Sequence, residues 1–255
     1  GWGKRIVAMD LTTAEVYVAA VLAKDKALME VFRSHGNFHS TIAKKVFKLP
    51  CEVEDVDSLY KDKRQAAKAV TFGIMYGAGP KKISEQVTKD SGNYFSMQEA
   101  KEVIDDYFKT FHKLRSWIDS NKHFIEQNGF IYSYFDRKRR LPNVKSSDAG
   151  VKSHSIRSGL NFLVQSAASD INLLGAIDMH SYIQANNMKA KIFALVHDSI
   201  LAEVPDEEID HYSEQLQKSV QLDRGIKIPG APIGCDFEIG DDYSMGKFEK
   251  LYHAS

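Results

Sequence analysis

The sequence predicts an α+β fold, with an antiparallel sheet and a mostly helical second part, on three observations. Short β-capable runs stand at 5–9 (RIVAM) and 129–135 (GFIYSYF), and 191–204 (KIFALVHDSILAEV) reads as a hairpin, two apolar runs parted by a polar tip. Between and beyond them, apolar residues recur with helical period over 64–77, from Ile83 to about Asn128, and over 156–176. With 255 residues, 43% of them hydrophobic, the chain can bury a sizeable core and form one or two domains.

The 34 Lys and Arg balance the 34 Asp and Glu, so any charged binding surface must come from local clustering. Cys51 and Cys235 form neither a disulfide framework nor a zinc pattern, which suits a reduced, cytoplasmic setting. No apolar run approaches the ~20 residues of a membrane span and no signal peptide is present, so no membrane partner is expected. The chain starts at Gly1 without Met, as a piece cut from something longer would.

Asp10 follows the first strand, and a helix follows with apolar Val16 and Val18 to Leu22. Thr12 and Glu15 have the spacing of a capping box, and Asp10 reads on its own as a cap or a solvated turn residue. Residues 37–43 (NFHSTIA) carry His39, and the acid-rich 51–62 lead on as a loop or short helix. In RQAAKAVTFGIMYG, 64–77, the residues Arg64, Lys68, Phe72 and Tyr76 recur every four positions. On a helix they form one gently drifting stripe roughly 18 Å long. A nucleoside triphosphate laid along it would meet the two cations with its phosphates and the two rings with its base. The plain alternative is an amphipathic helix with core aromatics and solvated cations.

Gly77, Gly79 and Pro80 end that helix. In the helices after it, Tyr107, Phe108, Phe111 and Trp117 read as core. The run Arg137 to Arg140 reads as a solvated loop closed by Leu141 and Pro142. Along 156–176, Arg157, Asn161 and Gln165 again fall four residues apart, where polar side chains alone would simply face water. The hairpin tip is His197-Asp198-Ser199, a helix spans Glu207 to about Val220, and 229–247 form a closing strand (Cys235 to Glu238) and an exposed tail.

Taken together, R-x-x-x-K-x-x-x-F-x-x-x-Y-G at 64–77, Asp10 with Glu15, R-x-x-x-N-x-x-x-Q at 157–165 and V-H-D at 196–198 resemble, in kind and order, the motifs of the family A DNA polymerases. The resemblance implies a right-hand polymerase fold lacking its thumb, with palm at 1–18 and 147–255 and fingers at 19–146. It implies that Asp10 and Asp198 hold two Mg²⁺ ions, with Mn²⁺ able to substitute, and that the backbone carbonyl of Leu11 adds a ligand. Lys68 would join the two carboxylates as a catalytic residue by protonating the departing pyrophosphate. Nucleotide contacts would come from Arg64, Lys68, Phe72, Tyr76 and His39, with Glu15 excluding ribonucleotides at the 2′ position. DNA contacts would come from Arg157, Asn161 and Gln165 in the minor groove, His197 at the primer terminus, and Arg137 and Arg139 near the template.

Five positions depart from the family pattern: Tyr17 for Arg, Asn37 for Asp, Ile42 for Thr, Asp136 for Gly and Ser199 for Glu. The stretches PGAPIG and DYSMGK are similar to replicative polymerases of T-five-type bacteriophages, for which the location would be the host cytoplasm. The implied partners are primer-template DNA, deoxynucleoside triphosphates and a second polypeptide supplying thumb and exonuclease. Two other readings stand beside the polymerase: part of a split or truncated enzyme, inactive without its thumb-bearing chain, and a nucleotidyltransferase like the single-subunit RNA polymerases.

Overall fold

The computed structural model describes residues 3–34, 37–242 and the backbone of 246–247. They form two compact units, one of residues 1–14 with 166–255 and the other of residues 15–165.

The first unit is built on a five-stranded antiparallel sheet. Strand β1 (Lys4–Thr12) lies between a hairpin strand and a C-terminal strand. The hairpin comprises β4 (Lys191–Val196) and β5 (Ser199–Pro205), and the C-terminal pair is β6 (Gly234–Gly240) and β7 (Gly246–Lys247). Strand order is β4-β5-β1-β6-β7. Alternation along β1 sends Val7, Met9 and Leu11 into the core with Ile200, Ala202, Val204, Cys235 and Phe237, while Asp10 and Thr12 leave on the other face. Helix α10 (Ile209–Val220) packs on β5 and buries Tyr212, Leu216 and Val220. The 37-residue helix α9 (Ala149–Ala185) belongs to both units, and its C-terminal part crosses α10 at Gly175, where a Cβ would stand 2.5 Å from Val220 Cγ2.

The second unit is helical. It contains α1 (Ala14–Leu22), α2 (Lys26–Arg33), α3 (Phe38–Phe47), α4 (Val56–Leu59) and α5 (Lys61–Met75). Then come α6 (Pro80–Ser91), α7 (Met97–Thr110), α8 (His112–Asn128) and a hairpin of β2 (Phe130–Tyr132) and β3 (Lys138–Arg140). Asp25 joins distant parts of this unit. It is buried, caps α2 by accepting from Leu28 N at 3.0 Å, and accepts from Leu114 N at 2.9 Å with its other oxygen. Of the four aromatics expected in the core, Tyr107 and Phe111 are fully buried and Phe108 and Trp117 half-buried.

Four local expectations are corrected. Thr12 stays in β1 and the following helix starts at Ala14, so Thr12 is not the residue that caps it, and Glu15 is its second residue and not the third that a capping box needs. A capping box of that form does occur, between Ser96 and Glu99 of α7. The strand expected over 129–135 stops at Tyr132, and the basic run, read as a loop, returns as its antiparallel partner. The reversal is made by Asp136 in the left-handed region at φ 60°, the conformation for which glycine is ordinarily chosen. The helix expected over 156–176 runs from 149 to 185, and beyond 176 its buried side continues through Met179 and Ile183. The expected exposed tail continues β6 as far as Gly240 and returns at 246–247 to pair with it, while 243–245 lie outside the described residues.

Asp25→Ala should lower unfolding stability by about 2–4 kcal/mol, a lost helix cap together with a buried N–H left unpaired. Urea unfolding measures this, and Asp25→Asn, which keeps one acceptor oxygen, should lose about half as much.

Candidate functional site

In the sheet unit, the register of β1 places Asp10 directly opposite Ser199 of β5 and Asp236 of β6. Residues opposite one another leave an antiparallel sheet on the same face, so the three polar side chains form a row across it. The β4–β5 turn consists of His197 and Asp198, with His197 at φ 56°. The carbonyl of Asp198 accepts from Leu11 N at 3.4 Å, which sets the turn beside the end of β1. Asp10 and Asp198 are half-buried and His197 is exposed. Among the described residues neither carboxylate is ion-paired to a cation, and Ser199 Oγ donates a hydrogen bond to Asp10 Oδ1.

This donor set fits a hard divalent cation. Magnesium is commonly held by one or two carboxylates together with water and substrate phosphates, without an all-protein cage. The described residues contain no group of three or more Asp, Glu, His or Cys side chains able to hold a metal by themselves. Asp236 escaped the sequence reading. The alternation of Cys235 and Phe237 inward with Asp236 and Glu238 outward was visible in 234–240, but its register against Asp10 was not.

In the helical unit, α5 buries Ala66, Ala67, Val70, Thr71, Ile74 and Met75 and leaves the stripe of Arg64, Lys68 and Phe72 on its other side. Tyr76 stands at the C-cap, where Gly77 at φ 67° turns the chain. The Tyr76 hydroxyl donates to Glu15 Oε1 at 3.3 Å. Lys68, Phe72 and Tyr76 line a cavity of about 310 Å³ whose α6 side carries Lys82 and Gln86, two residues the sequence reading did not single out.

Arg64 is held locally. Its Nε donates to Ser40 Oγ and its Nη2 to Asn37 Oδ1, both at 3.2 Å, and Nη1 lies 3.5 Å from Asp57. Asn37 also caps α3 by accepting from His39 N and Ser40 N, a task Asn performs as well as Asp. The His39 ring lies 5.4 Å from that of Phe72. Burial, reinforced by the Lys68 ammonium and the Arg64 guanidinium, pushes the His39 pKa down to about 4. Tyr17 is packed into the core edge-to-face with Phe32, with ring centroids 5.1 Å apart.

The polar stripe on α9 meets the end of α5. The Arg157 side chain occupies the space a side chain at Gly77 would need, its Cγ 2.6 Å from the position of a Cβ there. Asn161 keeps a buried Oδ1 unpartnered among the described residues, and Gln165 is exposed. Arg139 donates to Ser158 Oγ at 2.7 Å and lies over the Phe162 ring, while Arg137 is exposed. The carboxylate pair is therefore assembled within the sheet unit, and the candidate nucleotide and minor-groove stripes within the helical one.

The chain is similar to known proteins over nearly its whole length. Residues 2–245 match DNA polymerase family A. The chain is 48% identical to the DNA polymerase of Escherichia phage T5 over 98% of its own length and 32% of that protein's. It is 30% identical to DNA polymerase I of Caldicellulosiruptor bescii, over 89% of this chain and 25% of the relative. It is 28% identical to the thermostable DNA polymerase I of Thermus aquaticus, over 97% and 28%. The chain thus spans about a third or less of the curated relatives it matches. Its fold matches the POL domain of Pol1 from M. smegmatis, solved with DNA primer-template and dNTP, with a TM-score of 0.80 at 24% identity over 94% of this chain and 40% of that one. Among the described residues no helix is long and apolar enough to cross a membrane.

The ring of His39 should titrate by NMR with a midpoint of about 4. A triphosphate bound along Lys68 would offset the two cations and raise that midpoint. The unfolded chain takes up this proton below about 6.5 and the folded chain only near 4, so stability is lost as pH falls through that window and regained as it rises. His39→Gln should remove that part of the slope.

Proposed function

Because the chain belongs to DNA polymerase family A, we propose that it is the palm-and-fingers catalytic region of a template-directed DNA polymerase, adding deoxynucleotides to a primer 3′-OH. The observation that carries the proposal is the pairing of β1 with β5, which brings Asp10 and the Asp198 turn to one end of the sheet, neither carboxylate being ion-paired among the described residues. In this assignment the palm is 1–18 with 147–255 and the fingers 19–146.

Asp10 and Asp198, with the Leu11 carbonyl, would hold two Mg²⁺ ions, for which Mn²⁺ can substitute. When bound, these ions supply activation of the 3′-OH and neutralisation of the leaving pyrophosphate. The rest of phosphoryl transfer is positioning, which the side chains provide. Lys68, exposed on α5, reaches the phosphates and protonates the departing pyrophosphate, with Arg64 and His39 alongside. Phe72 and Tyr76 carry base and sugar, and Tyr76 holds Glu15 where it closes off the ribose 2′ position. Arg157, Asn161 and Gln165 read the shape of the base pair through minor-groove acceptors common to all sequences. His197 faces the primer terminus, and Arg137 and Arg139 the template. Deoxynucleoside triphosphates and primer-template DNA are the proposed partners, in the cytoplasm or a phage host's cytoplasm; only the alternative reading as part of a split enzyme adds a second polypeptide supplying thumb and exonuclease.

Primer extension with Mg²⁺ and four deoxynucleotides tests the proposal. Asp198→Asn should lower extension by more than about 100-fold, beyond the loss typical of an outer-shell residue. Extension by the wild type that survives this substitution would sink the carboxylate assignment. Activity that emerges only after a thumb-bearing polypeptide is added supports the reading of a split enzyme. Glu15→Ala should raise ribonucleotide incorporation, separating the DNA polymerase from one that resembles the single-subunit RNA polymerases. Unchanged sugar selectivity would remove Glu15 from the gate.

A further inference from the structure

The proposed metal carboxylate Asp10 has a neighbour on each side across the sheet, and the two act on it in opposite ways. Asp236 of β6 stands opposite it, and an ionised carboxylate can only accept hydrogen bonds and repel another. Ser199 of β5 stands opposite it on the other side, and its hydroxyl donates to Asp10 Oδ1. The preceding residue is tied to the same place by its backbone, since the Asp198 carbonyl accepts from Leu11 N. Residues 198–199 are thus laid along 10–11 by one main-chain and one side-chain bond. Among the described residues of the row across the sheet, the only group able to orient the Asp10 carboxylate is the Ser199 hydroxyl.

From this juxtaposition we infer that Ser199 is a positioning residue, which holds the Asp10 carboxylate in the rotamer that receives a divalent cation. The inference rests on the metal assignment proposed above. Its chemistry follows from what a hydroxyl is. A carboxylate offers about four lone-pair sites, and a single O–H bond to Oδ1 leaves Oδ2 and part of Oδ1 free for cations. A cationic side chain at 199 would compete with the metal for Asp10, and an anionic one could not donate to it. The neutral hydroxyl fixes orientation without altering the charge that attracts the ion, as outer-shell partners of metal ligands do.

The test uses the full chain and Mn²⁺ as probe, following loss of the free-ion signal by electron paramagnetic resonance, so that no catalysis is needed. Asp10→Asn serves as the reference for losing the ligand. Ser199→Ala should weaken Mn²⁺ binding about tenfold, the lower end of the range for outer-shell groups, while Ser199→Thr, which keeps the hydroxyl and suits a strand, should bind as the wild type does. Thermal unfolding of each variant, read in parallel, separates positioning from loss of fold. Wild-type affinity in Ser199→Ala with weak binding by Asp10→Asn would overturn the positioning role alone. Equal weakening in the Ala and Thr variants, both folded, would overturn it as well. Binding that ignores Asp10→Asn would overturn the metal assignment itself, and this inference with it.

Discussion

Everything at the carboxylate end of the sheet depends on the register of one strand. β1 is paired on both sides, with β5 and with β6, over most of its length. Side chains alternate, so a slip of one residue would turn Asp10 into the core and bring Met9 or Leu11 to the open face. The apolar residues that make this slip unfavourable are those that bury the opposite face: Val7, Met9 and Leu11 against Ile200, Ala202, Val204 and Phe237. Each of these side chains but the small Ala202 contributes on the order of 1.5–3 kcal/mol by leaving water. The placement of a polar residue is thus enforced by its apolar neighbours in sequence. The His197–Asp198 turn inherits the same register, since the two-residue turn sets Val196 directly opposite Ser199, and the register of β4 shifts only further away, between Ile192 and Ala194.

The helical unit is organised differently, around polar groups that reach across it. Asp25 caps one helix and receives the amide of another, and Arg64 bridges the N-terminus of α3 and Asp57. Arg64 thereby helps hold His39 near Lys68, in a setting that keeps the imidazole neutral. The cations of the α5 stripe therefore have two kinds of surroundings, with Arg64 engaged at the N-terminal end and Lys68 exposed further along.

The parts of this arrangement that were legible in the sequence have a local or periodic signature. The stripe at 64–76, the hairpin around 197–198 and the stop at Gly77–Pro80 follow from spacing and turn chemistry, and all lie where that chemistry puts them. Family likeness supplied the link between Asp10 and Asp198, which no local pattern could, because strand pairing between residues far apart in sequence carries no period. For the same reason Asp236 and the Ser199–Asp10 bond were out of reach: each is an accident of register, and register is a property of two strands. The basic run was misread because Arg and Lys have weak strand preference, and what makes them a strand is Phe130 to Tyr132 on the other side of the turn. The capping box was misplaced because the strand takes Thr12 for its own last pair, opposite Gly234.

Asp136 has a consequence beyond the turn it makes. A glycine there would have left Arg137, Lys138, Arg139 and Arg140 as an undiluted block of four positive charges. With a carboxylate one residue before the block, a polyanion approaching the hairpin meets a net charge of three. Binding to duplex DNA releases condensed counterions in proportion to the charge delivered, with the logarithm of affinity falling against that of salt by about 0.9 per phosphate neutralised. In its proposed place beside the template, the hairpin would carry part of its own counterion, and its hold on a nucleic acid would be correspondingly less dependent on ionic strength than its run of basic residues suggests.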